Sequence, residues 1–285
     1  MPTYRLDVEY EGTRYHGWQE QKNARSVAGE LRRALEQAGA EVAELGGSGR
    51  TDAGVHALRQ TAHLRLRGQR PADALREAAN DALPQDIQIL GLWPARPSFH
   101  ARHDAVARSY VYQLSRRRTA LGKRWVWWIK ADLDLERLRA AAERVEGRHD
   151  FRLLCERPAE QTSTIVVVDR LEVVERGDLV LIRFVASHFL WKMVRRLVGL
   201  LGRIGSGELD LEFLEALLAD PEGRSAEGAA RFTAPASGLF LERVLYPGEP
   251  GLAPLAAVLP VSSAWDGPGT PFLGSEQRPA RGRRL

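Results

Sequence analysis

Gly49-Arg50-Thr51-Asp52-Ala53-Gly54-Val55-His56-Ala57 is the stretch on which the reading of this 285-residue chain turns. Glycines crowd it, at Gly46, Gly47, Gly49 and Gly54. Glycine lets a backbone take positive φ and come close to a ligand. The pattern predicts a turn with a carboxylate, Asp52, displayed at its tip and a cation, Arg50, beside it to hold it ionised. An isolated Asp-Ala-Gly would predict less, an Asx-stabilised turn between two strands. The surrounding sequence separates the two readings.

Outward from the turn, the chain alternates between two periodicities. Residues 60–67 alternate apolar and polar, as do residues 4–10, where Leu6, Val8 and Tyr10 share one side. Between them Val27, Leu31, Ala34, Leu35 and Ala38 follow helical spacing behind an N-cap at Ser26. Residues 71–82 predict a second helix and residues 87–92 a strand. A second round opens with a strand over 109–115 and a helix over 134–146, whose Leu135, Leu138, Ala142 and Val145 share one face. Strands over 165–174 and 179–185, helices over 189–204 and 210–218, and a strand over 238–245 complete it. Two similar rounds predict an α+β fold of two domains, residues 1–105 and 106–247, with mostly antiparallel sheets flanked by helices. Residues 248–285 differ. Seven of the 15 prolines fall after residue 246, and the chain closes on Arg281-Gly282-Arg283-Arg284. Such a stretch buries too little to offset its ordering entropy, so a disordered tail is expected.

Composition bounds the function. A 44% hydrophobic chain of this length has ample material for a core. No signal peptide opens it and no apolar run reaches membrane-spanning length, so a cytoplasmic protein without a membrane partner is expected. The single cysteine, Cys155, excludes an internal disulfide framework and reads as a small buried hydrophobe. A net charge of +4 and a pI near 9.4 permit a nucleic-acid partner without requiring one. His100 and His103 share a helical spacing, but no His-Glu-x-x-His, cysteine pair or acidic loop accompanies them, so no metal is expected. Gly47-Ser48-Gly49 lacks the third glycine of a dinucleotide fingerprint, and no P-loop exists. Cofactor-free chemistry by a lone carboxylate remains.

The nonapeptide is similar to the signature that carries the catalytic aspartate in the tRNA pseudouridine synthase A family. Other blocks resemble that family in order. They are Tyr10-Glu11-Gly12 with Gly17-Trp18-Gln19; Phe99-His100-Ala101-Arg102 with Ala105, Arg108, Tyr110 and Tyr112; and His149-Asp150-Phe151. Phe189 with Met193-Val194-Arg195 and Val198-Gly199, and finally Gly238-Leu239, continue the match, which runs from about residue 4 to 246. The resemblance implies the two-domain pseudouridine synthase fold with its active site in the cleft between domains. It also implies a homodimer that converts uridines 38, 39 and 40 in the anticodon arm of tRNA without a cofactor. A relative with other RNA target sites and a tRNA-binding chaperone without activity are the alternatives; intact Asp52, Tyr110 and Arg195 weigh against the second.

Pseudouridine formation breaks the N-glycosidic bond of a uridine, turns the detached uracil and rejoins it through C5. A carboxylate at or near C1′ suits an oxocarbenium-like transition state, as in a retaining glycosidase. By resemblance Asp52 is that carboxylate; a sugar ester, a glycal formed by 2′ deprotonation and an adduct at C6 all stay open. Tyr110 is then the ring that stacks on the target base and helps remove the C5 proton. Arg195 is the partner that keeps Asp52 anionic. Arg50 is the cation that replaces the flipped nucleotide or holds its phosphate, and Leu239 packs on the uracil's other face. As bare residues, Tyr110 and Leu239 would be core and Arg195 a solvated helix face. For phosphate contacts and stacking, Arg14, Lys22 and Arg25, then Arg116, Arg117 and Arg118, then Lys123-Arg124-Trp125 interleave cations with aromatics. Ala28-Gly29, Ser109 and Val166 depart from the family pattern, which loosens the RNA contacts and leaves the catalytic set whole.

Overall fold

The computed structural model describes residues 1–156, 163–219 and 229–261. In chain order these form β1 (Thr3–Tyr10), α1 (Val27–Gln37), β2 (Val42–Gly47), β3 (His56–Leu66), α2 (Ala72–Ala82), β4 (Ile87–Ala95) and β5 (Ala107–Ser115). Then come β6 (Trp127–Trp128), α3 (Leu135–Val145), β7 (Gly147–Asp150), β8 (Ile165–Arg176), β9 (Leu179–Ala186), α4 (Met193–Gly205), α5 (Leu211–Ala219) and β10 (Leu239–Leu245). The strands build one sheet in the order β4-β1-β3-β10-β5-β9-β8-β7, with β2 added to β3 and β6 to β5. Pairing is antiparallel except for β10 on β3 and β6 on β5. The expected α+β class and mostly antiparallel sheet are what the chain adopts. The two halves share that sheet, because β10, from the end of the second half, lies between β3 and β5.

Local chemistry explains the regular elements. Ser26 caps α1 by accepting from the Gly29 amide at 3.3 Å, and the Asp134 carboxylate caps α3 through the Glu136 and Arg137 amides. Strict alternation in β1 sends Tyr4, Leu6, Val8 and Tyr10 into the core beneath α1 and α2. Tyr112, Leu114, Ile182, Phe184, Val166 and Val168 continue that apolar layer under α3 and α4. Cys155 is buried, at 5% exposure. Among the described residues no helix is long and apolar enough to cross a membrane.

Three elements depart from the expectations of periodicity. Gly46 and Gly47, expected within a turn, lie in β2. A Cβ at either would meet the His63 imidazole or the Trp18 indole, so pairing with β3 and close side-chain cover outweigh low strand propensity. The helix expected from residue 189 begins at Met193, because Lys192 takes a left-handed conformation with φ 61°. The tail expected from residue 248 is ordered through residue 261. There it covers the sheet face opposite the helices, with Leu255 and Val261 packed on Val111, Val126, Leu179 and Leu181. Val258 donates its amide to the Gln113 side chain at 2.7 Å, and Arg183 donates to the Ala253 carbonyl at 2.9 Å. Residues 262–285, including the terminal arginines, lie outside the described residues.

The arrangement of β3 positions the site. One edge of β3 pairs with β1 along its length. The other edge pairs with β2 over residues 62–66 and with β10 at residues 56–57. The loop of residues 48–55, which carries Asp52, spans the gap between those neighbours. If residues 248–261 are part of the packed core, Leu255→Ala should lower the unfolding free energy by about 2 kcal/mol or more in urea titration; a solvated tail would show no change.

Candidate active site

The Asp52 loop is tied down on every side. Its backbone donates from Ser48 to the Thr61 carbonyl at 2.8 Å and from Gly54 to the Tyr15 carbonyl at 3.2 Å, and it receives the Trp18 amide on the Thr51 carbonyl at 3.2 Å. The Tyr10 and Thr51 hydroxyls are 2.8 Å apart in the interior. Gln60 accepts from the Ser48 hydroxyl at 2.6 Å and donates to the Gly49 carbonyl at 3.1 Å. Gly17, at φ +92°, faces the Thr51 carbonyl so closely that a Cβ would run into it. His56 accepts the Gly12 amide on Nδ1 at 3.0 Å, so Nε2 carries the hydrogen donated to the Arg124 carbonyl at 3.0 Å. The first turn of the chain therefore serves as the brace of the Asp52 loop.

Arg195 reaches that loop from α4. Its Nη1 lies 3.5 Å from Asp52 Oδ2, with the two side chains 16% and 18% exposed. Arg195 Nε donates to the Ala234 carbonyl at 2.8 Å, and the Ala234 amide returns a bond to the Arg195 carbonyl at 2.9 Å. Gly199 permits this clamp, since a Cβ there would overlap the Phe232 carbonyl where residues 232–234 cross the helix. Burial pushes the Asp52 carboxyl above its ordinary range. Arg195 and then Lys192 pull it down, Glu156 pushes it up, and the net direction is upward. Arg50, expected to hold Asp52 ionised, is exposed to solvent. Arg195 is the cation that reaches the carboxylate.

Tyr110 is buried on β5, with its ring edge-on to Phe189 at 5.1 Å. Burial first, then Tyr10 and Asp52, raise its phenol far above the ordinary range, so it is protonated at neutral pH. Its hydroxyl bonds to no described residue. Leu239, 4% exposed, lies opposite Tyr112 in the β10–β5 register, and Leu241 opposite Tyr110, so both leucines share the tyrosines' side. Arg108, which the sequence placed only within a motif, is an 8% exposed guanidinium with no carboxylate facing it among the described residues. Nη1 donates to the Ser187 and Ala105 carbonyls at 2.7 and 3.3 Å, and Nη2 to the Ser48 and Arg102 carbonyls at 3.0 and 2.6 Å. It thus joins the Asp52 loop to the segment that leads into α4. Its place in the block with Ala105, Tyr110 and Tyr112 was the sequence signal for it.

Of the expected RNA-facing cations, Arg14, Lys22, Arg118 and Lys123 are exposed. Arg25 is engaged with Glu30 at 2.6 Å, Arg116 with Glu175, and Arg117 with Asp178 at 2.6 Å. Arg118 and Lys130 both lie over the Trp128 ring, at 5.9 and 5.7 Å. Glu44, His63 and His100 bring ligand-type atoms within 4.8 Å of one another. Hydrogen bonds already engage the ligand-type atoms of His63 and Glu44. His63 Nδ1 accepts the Ala101 amide at 3.2 Å, so Nε2 donates to Glu44 at 3.1 Å, and Arg65 takes the other Glu44 oxygen at 2.7 Å.

Residues 8–104 and 141–247, which bring Asp52, Tyr110's neighbours on β10 and Arg195 into one site, match the family model described as tRNA pseudouridine synthase. The chain belongs to this family. It is 38% identical over 251 residues to tRNA pseudouridine synthase A of Sinorhizobium fredii, a match that spans 86% of this chain and 100% of the relative. Identity to the enzyme of the same name from Methylococcus capsulatus is 38%, over 87% of this chain and 91% of the relative. For Methylobacterium nodulans it is 39%, over 87% and 97%. As a member of this family the chain is an isomerase that acts on uridine in tRNA.

Two stability outcomes follow from the site's geometry. A carboxyl whose folded pKa is raised binds its proton more tightly when folded, so its ionisation works against folding as pH climbs above the ordinary carboxylate range. Asp52→Asn should therefore melt at or above the wild-type temperature at neutral pH, with the difference vanishing in acid; scanning calorimetry across pH checks this. Gly199→Ala should lose about 1–3 kcal/mol by overpacking against residues 232–234, measurable by urea unfolding.

Proposed function

We propose that this enzyme converts uridine to pseudouridine at positions 38, 39 and 40 of the tRNA anticodon arm, acting as a homodimer. The observation that carries the reading is Asp52, a carboxylate held in a braced loop against an arginine from the other half of the chain. In the attack at C1′, an Asp52 oxygen forms a bond to the sugar while the N1–C1′ pair leaves with the uracil. The uracil turns, its C5 forms the new bond to C1′, and the carboxylate departs. The C5 proton is then lost and N1 gains one, so composition is unchanged. Addition at C6 and 2′ deprotonation would use the same carboxylate.

Tyr110 is assigned the stacking on the base and the part in C5 proton removal. Its protonated phenol must give up its own proton as it takes another. Arg195 orients Asp52 and opposes the upward push of burial. Arg50, exposed within the loop, replaces the extruded nucleotide or holds its phosphate, an extrusion that costs a few kcal/mol. Leu239 supports the uracil from its other side, and Arg14, Lys22, Arg118 and Lys123 meet phosphates. Release of tritium from tRNA carrying [5-³H]uridine, with mapping of the modified positions, tests the reaction and the sites together. Modification confined to other positions would favour a relative with different targets.

Asp52→Asn should abolish tritium release while tRNA affinity stays within severalfold, because the amide keeps shape and cannot act as a nucleophile. Tyr110→Phe should bind normally and lose about 100-fold or more in rate. Arg195→Leu removes the largest downward pull on the Asp52 carboxyl, so its acid limb in a pH–rate profile should shift to higher pH and its residual activity should climb with pH. Arg195→Lys should fall between them, since an ammonium keeps the charge and loses the fork.

A further inference from the structure

Lys192 is the only non-glycine residue at positive φ among the described residues. Strain of this kind persists where the surroundings impose it, and glycine would occupy the same turn without it. The lysine's visible reward is small. Its Nζ pairs with Glu156 at 2.6 Å, with both side chains about one-third exposed, and exposed pairs contribute little. The preceding Trp191 keeps 49% of its surface open, and the Lys192 ammonium lies 5.5 Å from its ring centre. This segment borders the site at both ends: Phe189 contacts Tyr110, and Lys192 is among the charges felt by Asp52. Glu156 also reaches Arg196 at 3.5 Å, so Lys192, Arg196 and Glu156 together leave one positive charge, while Arg195 is matched by Asp52.

We propose that Trp191 and Lys192 form a nucleotide-binding lip beside Asp52, where the indole stacks on an unpaired base next to the target uridine and the ammonium meets that nucleotide's phosphate. An open aromatic face beside a cation is the chemistry that holds single-stranded RNA. A side chain kept in a strained turn next to the site has a use that its own fold does not supply. The proposal rests on the reading of the Asp52 site as a uridine site.

The experiment uses the full chain and an unmodified tRNA transcript. Failure of the wild-type protein to bind the transcript or release tritium from it would overturn the uridine reading itself, and the lip with it. With wild-type activity in hand, Lys192→Gly should melt at or above the wild-type temperature. It should bind tRNA severalfold more weakly, with a log K against log salt slope shallower by about 0.7. Trp191→Ala should bind about tenfold more weakly with the slope unchanged, and Trp191→Phe should recover most of that loss. Wild-type affinity and slope in these variants overturn the lip. So does a Lys192→Gly protein that melts clearly below wild type, since the turn would then need the lysine. A Trp191→Ala protein whose RNA-free subunit stoichiometry changes overturns it as well, because the indole would then serve a protein contact.

Discussion

Keeping the Asp52 carboxylate largely out of water is the constraint on which this architecture depends. A carboxylate removed from water costs several kcal/mol unless charge and hydrogen bonds answer it. Arg195 answers only part, and the carboxyl still rests above its ordinary range. A group held against its own solvation preference needs a scaffold that cannot relax. That scaffold is the ring of contacts from Tyr10, Tyr15, Trp18 and Gln60 to the loop, with the Ala234 carbonyl fixing the arginine from behind.

The sheet's topology makes such a scaffold possible. Where β3 exchanges β2 for β10 along one edge, the ladder opens by a few residues, and the loop occupies the opening at the centre of the sheet rather than its rim. Support therefore arrives from both halves of the chain. Arg108 is the clearest instance, a buried cation satisfied by four carbonyls and no acid. Its desolvation has no ionic return. What it supplies is geometry, since one rigid planar group fixes the Ser48 shoulder of the loop against Ser187 and Arg102.

The opposite face of the sheet is held by different means. Asp7, fully buried, accepts from Arg59, Arg5 and the Thr61 hydroxyl at 2.6, 3.1 and 2.9 Å. Arg183, 2% exposed, joins Glu172 at 2.9 Å to Glu242 at 2.6 Å. Each ion has several partners, the condition under which buried charge is tolerable. Beside the Arg183 network lies the apolar strip that Leu255 and Val261 cover, so β5 and β9 are packed from both sides.

The sequence by itself determined what is local. Alternation in β1 and β8 and helical spacing in α1 and α3 specify those elements, because each depends on side chains two to four residues apart. The glycine-rich frame of Asp52 marked the candidate site for the same reason, since its turn is written within nine residues. The family resemblance implied Arg195 as the partner of Asp52, whereas nearness in sequence pointed to Arg50, and Arg195 from α4 is the cation that touches it. Only the tertiary structure decided the rest. Gly46 and Gly47 became strand through β3, the start of α4 moved to Met193 through the turn at Lys192, and Leu255 and Val261 were buried on a strip of β5 and β9. Arg108 acquired its role from carbonyls on three separate segments. Each of these outcomes depends on partners brought together by the sheet, and periodicity along the chain carries no information about them.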